Sequence, residues 1–186
     1  MIHRHYLIIM AFVLLACSST ETDKKIANAS EEPTAMINTL TAEEKDSGWQ
    51  LLFDGSSTDN WRSYHGDNFP TRGWKVSDGA LIVEKSSGSD YGGGDIVTKR
   101  MYGNFELTLD FMVTDSANSG ILYLVQENED DLIWHSGPEF QILDNQTYLN
   151  QQESQATTHH LTGDNYDLQS SPKDYTKPIG EWNTAK

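Results

Sequence analysis

Apolar and polar residues alternate with period two along most of this chain, and no long helical pattern interrupts them. The run from Asn104 to Val113 is the clearest case. Phe105, Leu107, Leu109, Phe111 and Val113 share one face, with Glu106, Thr108 and Asp110 opposite. Trp74-Lys75-Val76 and Leu81-Ile82-Val83 flank Asp78-Gly79, which predicts a hairpin on a two-residue turn. Trp49 to Phe53 predicts a short strand closed by a turn at Asp54-Gly55, and Asp95 to Thr98 predicts another. Ser86 to Gly94, rich in Gly and Ser, predicts a loop. Ser119 to Gln126 is apolar on both sides, as a strand covered on both faces would be, and Glu139 to Leu143 follows it. Gly180-Glu181-Trp182-Asn183 predicts entry to a further strand. Many short strands between turn signals predict an all-β fold, an antiparallel sandwich or jelly roll.

The start of the chain follows a different logic. His3, Arg4 and His5 form a short polar opening, and Tyr6 to Ala16 is an apolar run of signal-peptide length, short for a membrane span. Leu14-Leu15-Ala16-Cys17, followed by serines, resembles the bacterial lipobox; the alternative is an ordinary signal peptide with an incidental cysteine. The lipobox reading makes residues 1–17 a sorting signal and Cys17 the lipidation site. Two or more acyl chains there would anchor the protein stably to a membrane of the cell envelope, on its periplasmic or outer-membrane face. Residues 18–46 are mostly Ser, Thr, Glu, Asp, Lys and Ala, too polar to offset the entropy of ordering, and predict an acidic tether. Within it, Thr41 to Lys45 can open a helical turn, with Thr41 as N-cap and Glu44 completing a capping box. Residues 47–186 remain for the domain. They are about 140 in number, and a two-sheet sandwich of that length is expected to lack its last strands. No internal repeat is visible.

Composition narrows the partners. Of 186 residues, 13 are Lys or Arg and 28 are Asp or Glu, a formal net charge of −15. Such a surface repels phosphate backbones, so nucleic acid is excluded as an expected partner. Cys17 is the single cysteine, so no intramolecular disulfide supports the fold. The 5 Trp, 8 Tyr and 6 Phe supply large core groups and leave some free to stack on a sugar ring. Nothing in the sequence sets an oligomeric state.

Candidate chemistry concentrates in Trp134-His135-Ser136-Gly137-Pro138-Glu139-Phe140-Gln141-Ile142-Leu143-Asp144-Asn145. Strand alternation puts Phe140 and Ile142 on one face and Glu139 and Gln141 on the other. Gln both donates to and accepts from hydroxyls, while Glu accepts or serves as a base. The plainer alternative is a solvated outer face, and Asp144-Asn145 alone is a turn signal.

Several ordered pieces then acquire a meaning together: Leu52-Phe53-Asp54-Gly55, Trp74 to Leu81, Gly94-Asp95-Ile96-Val97-Thr98, Tyr102 to Leu107, Asn118-Ser119-Gly120-Ile121, Gly137 to Asp144, Tyr166-Asp167-Leu168 and Gly180-Glu181-Trp182-Asn183. As a set, from about Gly48 onward, they resemble the 3-keto-disaccharide hydrolase domain family. The resemblance implies a concanavalin A-like jelly roll, related in architecture to glucanases and legume lectins. It also implies export, and action on glycosides whose C3 hydroxyl has been oxidised to a ketone. Further strands after Gly-Glu-Trp-Asn belong to that pattern.

A C3 ketone acidifies the hydrogen on C2. A general base removes it, and the glycosidic oxygen at C1 leaves by β-elimination; water can add back to complete a net hydrolysis. Such a site needs a base, a group for the enolate oxygen and a proton donor. On this resemblance Glu139 is the candidate base or metal ligand, Gln141 binds hydroxyls, and Asp144 orients a partner or joins the site. His159 or His160 is a candidate acid/base or metal ligand, with a surface loop as the equal alternative. His135 lies close to the motif. Asn118 is a candidate hydroxyl contact or simply a turn residue, and Trp134 and Tyr166 are candidate stacking platforms or core. A divalent metal held by His and carboxylate would stabilise an enolate, yet the domain has no His-x-His or His-x-x-x-His spacing, and the residues assign no cofactor. Two other functions stay open: a non-catalytic carbohydrate-binding module, and a retaining glycosidase of laminarinase type. The latter's Glu-x-Asp-x-x-Glu motif is here Glu139-x-Gln141-x-x-Asp144.

Overall fold

The computed structural model describes residues 38–84, 92–129, 131–151 and 159–186, with the backbone of His5–Leu7. Cys17, most of the tether and positions 86–91 of the Gly/Ser loop lie outside the described residues. In chain order the strands are β1 His5–Leu7, β2 Trp61–Ser63, β3 Trp74–Ser77, β4 Ala80–Val83, β5 Ile96–Thr98, β6 Phe105–Leu107, β7 Leu109–Met112, β8 Asn118–Leu122, β9 Glu139–Leu143 and β10 Trp182–Ala185. Helices are short: α1 Ala42–Asp46, α2 Asn145–Gln151 and a 3-10 turn at Ile133–His135. The fold is all-β, as the period-two pattern predicts. Among the described residues no helix is long and apolar enough to cross a membrane.

The strands pair as β2 with β5, β3 with β4, β7 with β10 and β8 with β9, all antiparallel, while β1 lies parallel beside β6. Ser77 faces Ala80 across the β3–β4 hairpin, leaving Asp78 and Gly79 at φ 51° and 74°. Those left-handed angles match the strand twist and suit this pair of residues. Both halves of the Thr41 capping box are present: Glu44 N–H donates to Thr41 Oγ1 at 3.2 Å, and Thr41 N–H donates to Glu44 Oε2 at 2.8 Å. Contacts with the β structure reach back to Asn38, which is buried and donates from Nδ2 to the Gly79 carbonyl at 2.7 Å.

Three local expectations change. Trp49–Phe53 contributes no strand, because side chains claim its backbone: Trp61 Nε1 and Asn60 Nδ2 both donate to the Leu52 carbonyl, while Phe53 is fully buried. The Asn104–Val113 run breaks at Thr108 into β6 and β7, which serve different partners. The strand expected over Ser119–Gln126 runs over Asn118–Leu122 instead, and Leu124 turns the chain at φ 57°.

Phe111 of β7 meets Phe140 of β9 edge to face, centroids 6.3 Å apart, and Val113, Ile133, Ile142, Leu143 and Ala185 are buried with Phe53. The free edge of β9 is closed by the segment 161–166. Gln141 N–H donates to the Asp164 carbonyl, Gly163 N–H to the Gln141 carbonyl, and Tyr166 N–H to the Glu139 carbonyl, all at 2.9–3.0 Å. Thr162 Oγ1 donates to the Leu143 carbonyl and accepts from Leu143 N–H, each at 2.8 Å. The β9 backbone is thereby hydrogen-bonded along both edges, as a buried central strand requires.

Candidate active site

Glu139 opens β9, and its neighbours follow from register. Phe140 pairs with Asn165, so Tyr166 stands directly opposite Glu139 with its side chain on the same face. On the other side Leu122 faces Glu139, and Gly120 lies diagonally. The carboxylate folds over Gly120: a Cβ there would sit 1.8 Å from Glu139 Oε1 and 2.6 Å from its Cδ. Glycine at this position makes the floor under the acid. Burial raises the Glu139 carboxyl above the ordinary value, and the charge of Asp95 pushes it further. Asp95 itself, ahead of β5, is also pushed up by burial of its carboxyl. Both effects favour the neutral acid at Glu139, the direction in which a general base moves toward neutral pH.

Tyr166 carries the opposite wall. Its phenol is pushed up by burial, then by Asp167, Tyr148 and Glu139. Its ring lies flat on the His160 imidazole, centroids 4.2 Å apart and planes within 3°. His160 is gripped at both nitrogens, Nδ1 lying 2.7 Å from the Tyr148 hydroxyl and Nε2 2.5 Å from Asp167 Oδ1.

A rim extends from Asp95. Tyr64 N–H donates to the Asp95 carbonyl at 2.9 Å, and the Tyr64 hydroxyl is buried without a hydrogen-bond partner. Burial raises that phenol first, followed by Asp131, Glu127 and Asp95. Arg62 clasps Glu127 with both guanidinium nitrogens, at 2.8 and 2.5 Å, and this holds the Glu127 carboxyl down at about 2. Asp131 accepts from His135 Nδ1 at 2.5 Å. Trp134, beside it, is 57 % exposed.

The family pattern of the 3-keto-alpha-glucoside-1,2-lyase-like domain matches residues 48–186. The chain belongs to this family. It is 33% identical over 202 aligned positions to a 3-keto-disaccharide hydrolase of Bacteroides thetaiotaomicron, covering 95% of this chain and 68% of that protein. It also superposes, with a TM-score of 0.61 and 29% identity, on the crystal structure of "a putative glycosyl hydrolase from Parabacteroides distasonis", covering 79% of this chain. The chain spans 66% of that crystallised protein, just under two thirds of its length.

In this family member the residues singled out from the sequence fall into distinct places. Glu139, Tyr166 and His160 come together on the β9 face, and Trp134 with His135 lies just ahead of β9. Gln141, expected to bind hydroxyls, is instead 3 % exposed, with its Oε1 accepting from Ile142 N–H at 2.9 Å. Asp144, expected near the chemistry, caps α2. Its Oδ1 accepts from the N–H groups of Gln146 and Thr147, and its Oδ2 from Ser116 N–H. Those bonds lower its carboxyl below the ordinary value. Five steps along the strand separate it from Glu139, roughly 17 Å. Asn118, exposed and paired with Leu143, lies at that same far end. His159 is engaged with Ser170 Oγ at 2.9 Å.

Asp95, Tyr148, Asp167 and Tyr64 escaped the sequence reading. Asp95 and Asp167 lie inside motifs that carried the resemblance, but only the fold shows which motifs meet. Among the described residues no three His, Cys, Asp or Glu side chains converge as metal ligands. Glu139 and Asp95 supply two carboxylates, while the nearby imidazole of His160 is committed to Tyr148 and Asp167. This donor set does not fit a divalent ion.

Proposed function

We propose that this chain is a glycosidase-type enzyme that cleaves glycosides carrying a ketone at C3 by elimination. The observation that carries this reading is the raised, half-buried Glu139 carboxyl standing across the ladder from Tyr166 in a domain of this family. Glu139 takes the C2 proton and the electron pair passes into the C3 enolate. The C1–O bond then breaks, and the departing oxygen takes a proton from the Tyr166 hydroxyl. Water adding across the resulting C1–C2 double bond gives the free 3-keto sugar, so the net change is a hydrolysis. Trp134, His135 and the unpartnered Tyr64 hydroxyl suit the second ring of the substrate, since sugars are held by aromatic faces and by groups that exchange hydrogen bonds with hydroxyls.

The laminarinase-type alternative requires carboxyls about 5–5.5 Å apart, and the capping role of Asp144 argues against it. The leader and Cys17 carry the remaining part of the reading: a protein held in the cell envelope by acyl chains, its domain beyond an acidic tether. The decisive assay follows aglycone release from a 3-keto-glucoside and from its unoxidised parent, with Glu139→Gln beside the native protein. Release from the keto compound alone, lost in the variant, supports elimination. Binding without release in the folded protein would leave a carbohydrate-binding module.

A further inference from the structure

His160 is the imidazole that general acid/base reasoning selects, yet the fold places it where it does not reach the substrate face on its own. Its side chain is 15% exposed. Both ring nitrogens are held, Nδ1 by the Tyr148 hydroxyl of α2 and Nε2 by Asp167. The ring face is covered by Tyr166. Consecutive residues therefore hold one imidazole in two ways, Tyr166 across its plane and Asp167 at its edge. That grip needs an unusual backbone. Asp167 adopts φ 59°, a left-handed conformation that Asp tolerates better than most residues, and its N–H closes the loop onto the His159 carbonyl at 3.1 Å.

We propose that His160 is a positioning residue, whose plane, fixed by Tyr148 and Asp167, sets the orientation of the Tyr166 phenol toward Glu139. Asp167 accepts from Nε2–H in either protonation state of the ring. The Tyr148 hydroxyl meets Nδ1 as donor when the ring is neutral and as acceptor when it is charged. The imidazole plane is the same in both cases, so the stacked phenol keeps its angle. Fixing a proton donor in this way matters because a misplacement of about 1 Å can lower a rate by about 10²-fold. The inference rests on the function proposed above, so its test includes one readout that needs no turnover.

The test is a double-mutant cycle on the full chain with a 3-keto-glucoside, using His160→Ala, Tyr166→Phe and their combination. His160→Ala is expected to lower kcat by roughly 10²-fold while KM stays within about threefold. Because both changes act through one phenol, the double variant should be no slower than Tyr166→Phe alone. Losses that multiply would make His160 an independent acid/base group and overturn the proposal. Tyr148→Phe, which removes one hydroxyl and leaves the packing, should lower kcat in the same direction by less; no change there would also count against it. Independently of activity, the ultraviolet titration of the Tyr166 phenol, taken as a difference from Tyr166→Phe, should shift in His160→Ala. Its charged and titratable neighbours are Glu139, Tyr148, Asp167 and His160. An unchanged titration refutes the positioning role. An absence of turnover by the native chain refutes the proposed function and leaves the titration to decide the role of His160.

Discussion

Gly120→Ala is a one-methyl test of the site. The added Cβ would lie 1.8 Å from Glu139 Oε1 and 2.7 Å from its Cγ, whereas real Cβ contacts do not fall below 3.0 Å. The carboxylate must therefore retreat by at least about 1.2 Å. What gives way is the end of a flexible side chain, so the fold has an inexpensive escape. Overpacking costs about 1–3 kcal/mol when a core cannot yield, and replacing Gly by Ala returns about 0.4–1 kcal/mol through the unfolded chain. A net stability change within about 1 kcal/mol is expected. Catalysis has no such escape, and a displacement of that size lowers kcat/KM by about 10²-fold. Thermal melts and initial rates on a 3-keto-glucoside check both halves together. A variant retaining more than about a third of native activity would show that Glu139 does not need its glycine floor, and with it that this carboxylate is not the base.

Three further outcomes follow from the geometry and a fourth from the sequence of the leader. Glu139→Gln should lose at least about 10²-fold in kcat yet melt higher than the native protein at pH 7. A carboxyl raised in the folded state penalises folding above its free value, and the advantage of the amide should vanish as the pH falls below that value. Asp144→Ala should cost about 0.5–2 kcal/mol through the lost cap, read from denaturant midpoints, with kcat unchanged. The Glu127 carboxyl, held at about 2 by Arg62, contributes stability that is present above its free value of 4.5 and disappears as the pH falls toward 2. Glu127→Gln should accordingly melt lower than native at pH 7 and alike near pH 2. Finally, Cys17→Ala should move the protein from the membrane fraction to the soluble fraction of the producing cell, and retention in the membrane would contradict lipidation at that residue.

Local chemistry was readable in the sequence wherever neighbours in the chain decide it. The Asp78-Gly79 turn, the Thr41 capping box and the bounds of Glu139–Leu143 depend on adjacent residues, and the fold reproduces all three. What depends on remote partners was not readable. Asn104–Val113 has an unbroken alternation, yet the ladder with β10 takes up only Leu109–Met112 of it. Helix α2, Asn-Gln-Thr-Tyr-Leu-Asn-Gln, has no apolar stripe to announce it, so Asp144 read as a turn residue rather than a cap. The site divides the same way. Glu139, Tyr166 and His160 were chosen for their chemistry, but their meeting requires the segment 161–166 to join the edge of β9. For Gln141, alternation places the side chain on a face without saying that the fold buries it.

The pairings also differ in how far apart in the chain their members lie, which gives assembly an order. The β3–β4 hairpin needs two intervening residues, and the Glu139–Tyr166 neighbourhood needs only the stretch from β8 to the loop after α2. The β7–β10 ladder joins Met112 to Trp182 and waits on much of the chain. Contacts of long separation close late, because their loop entropy must be overcome before they stabilise anything. The Glu139–Tyr166 pairing is thus expected to close early, while Asp95 and the β7–β10 ladder reach it from more remote parts of the chain. Half-made molecules would carry the acid and phenol while β7 still lacks β10, a window in which the edge of β7, with Phe111 beside Phe140, is open to the wrong partners.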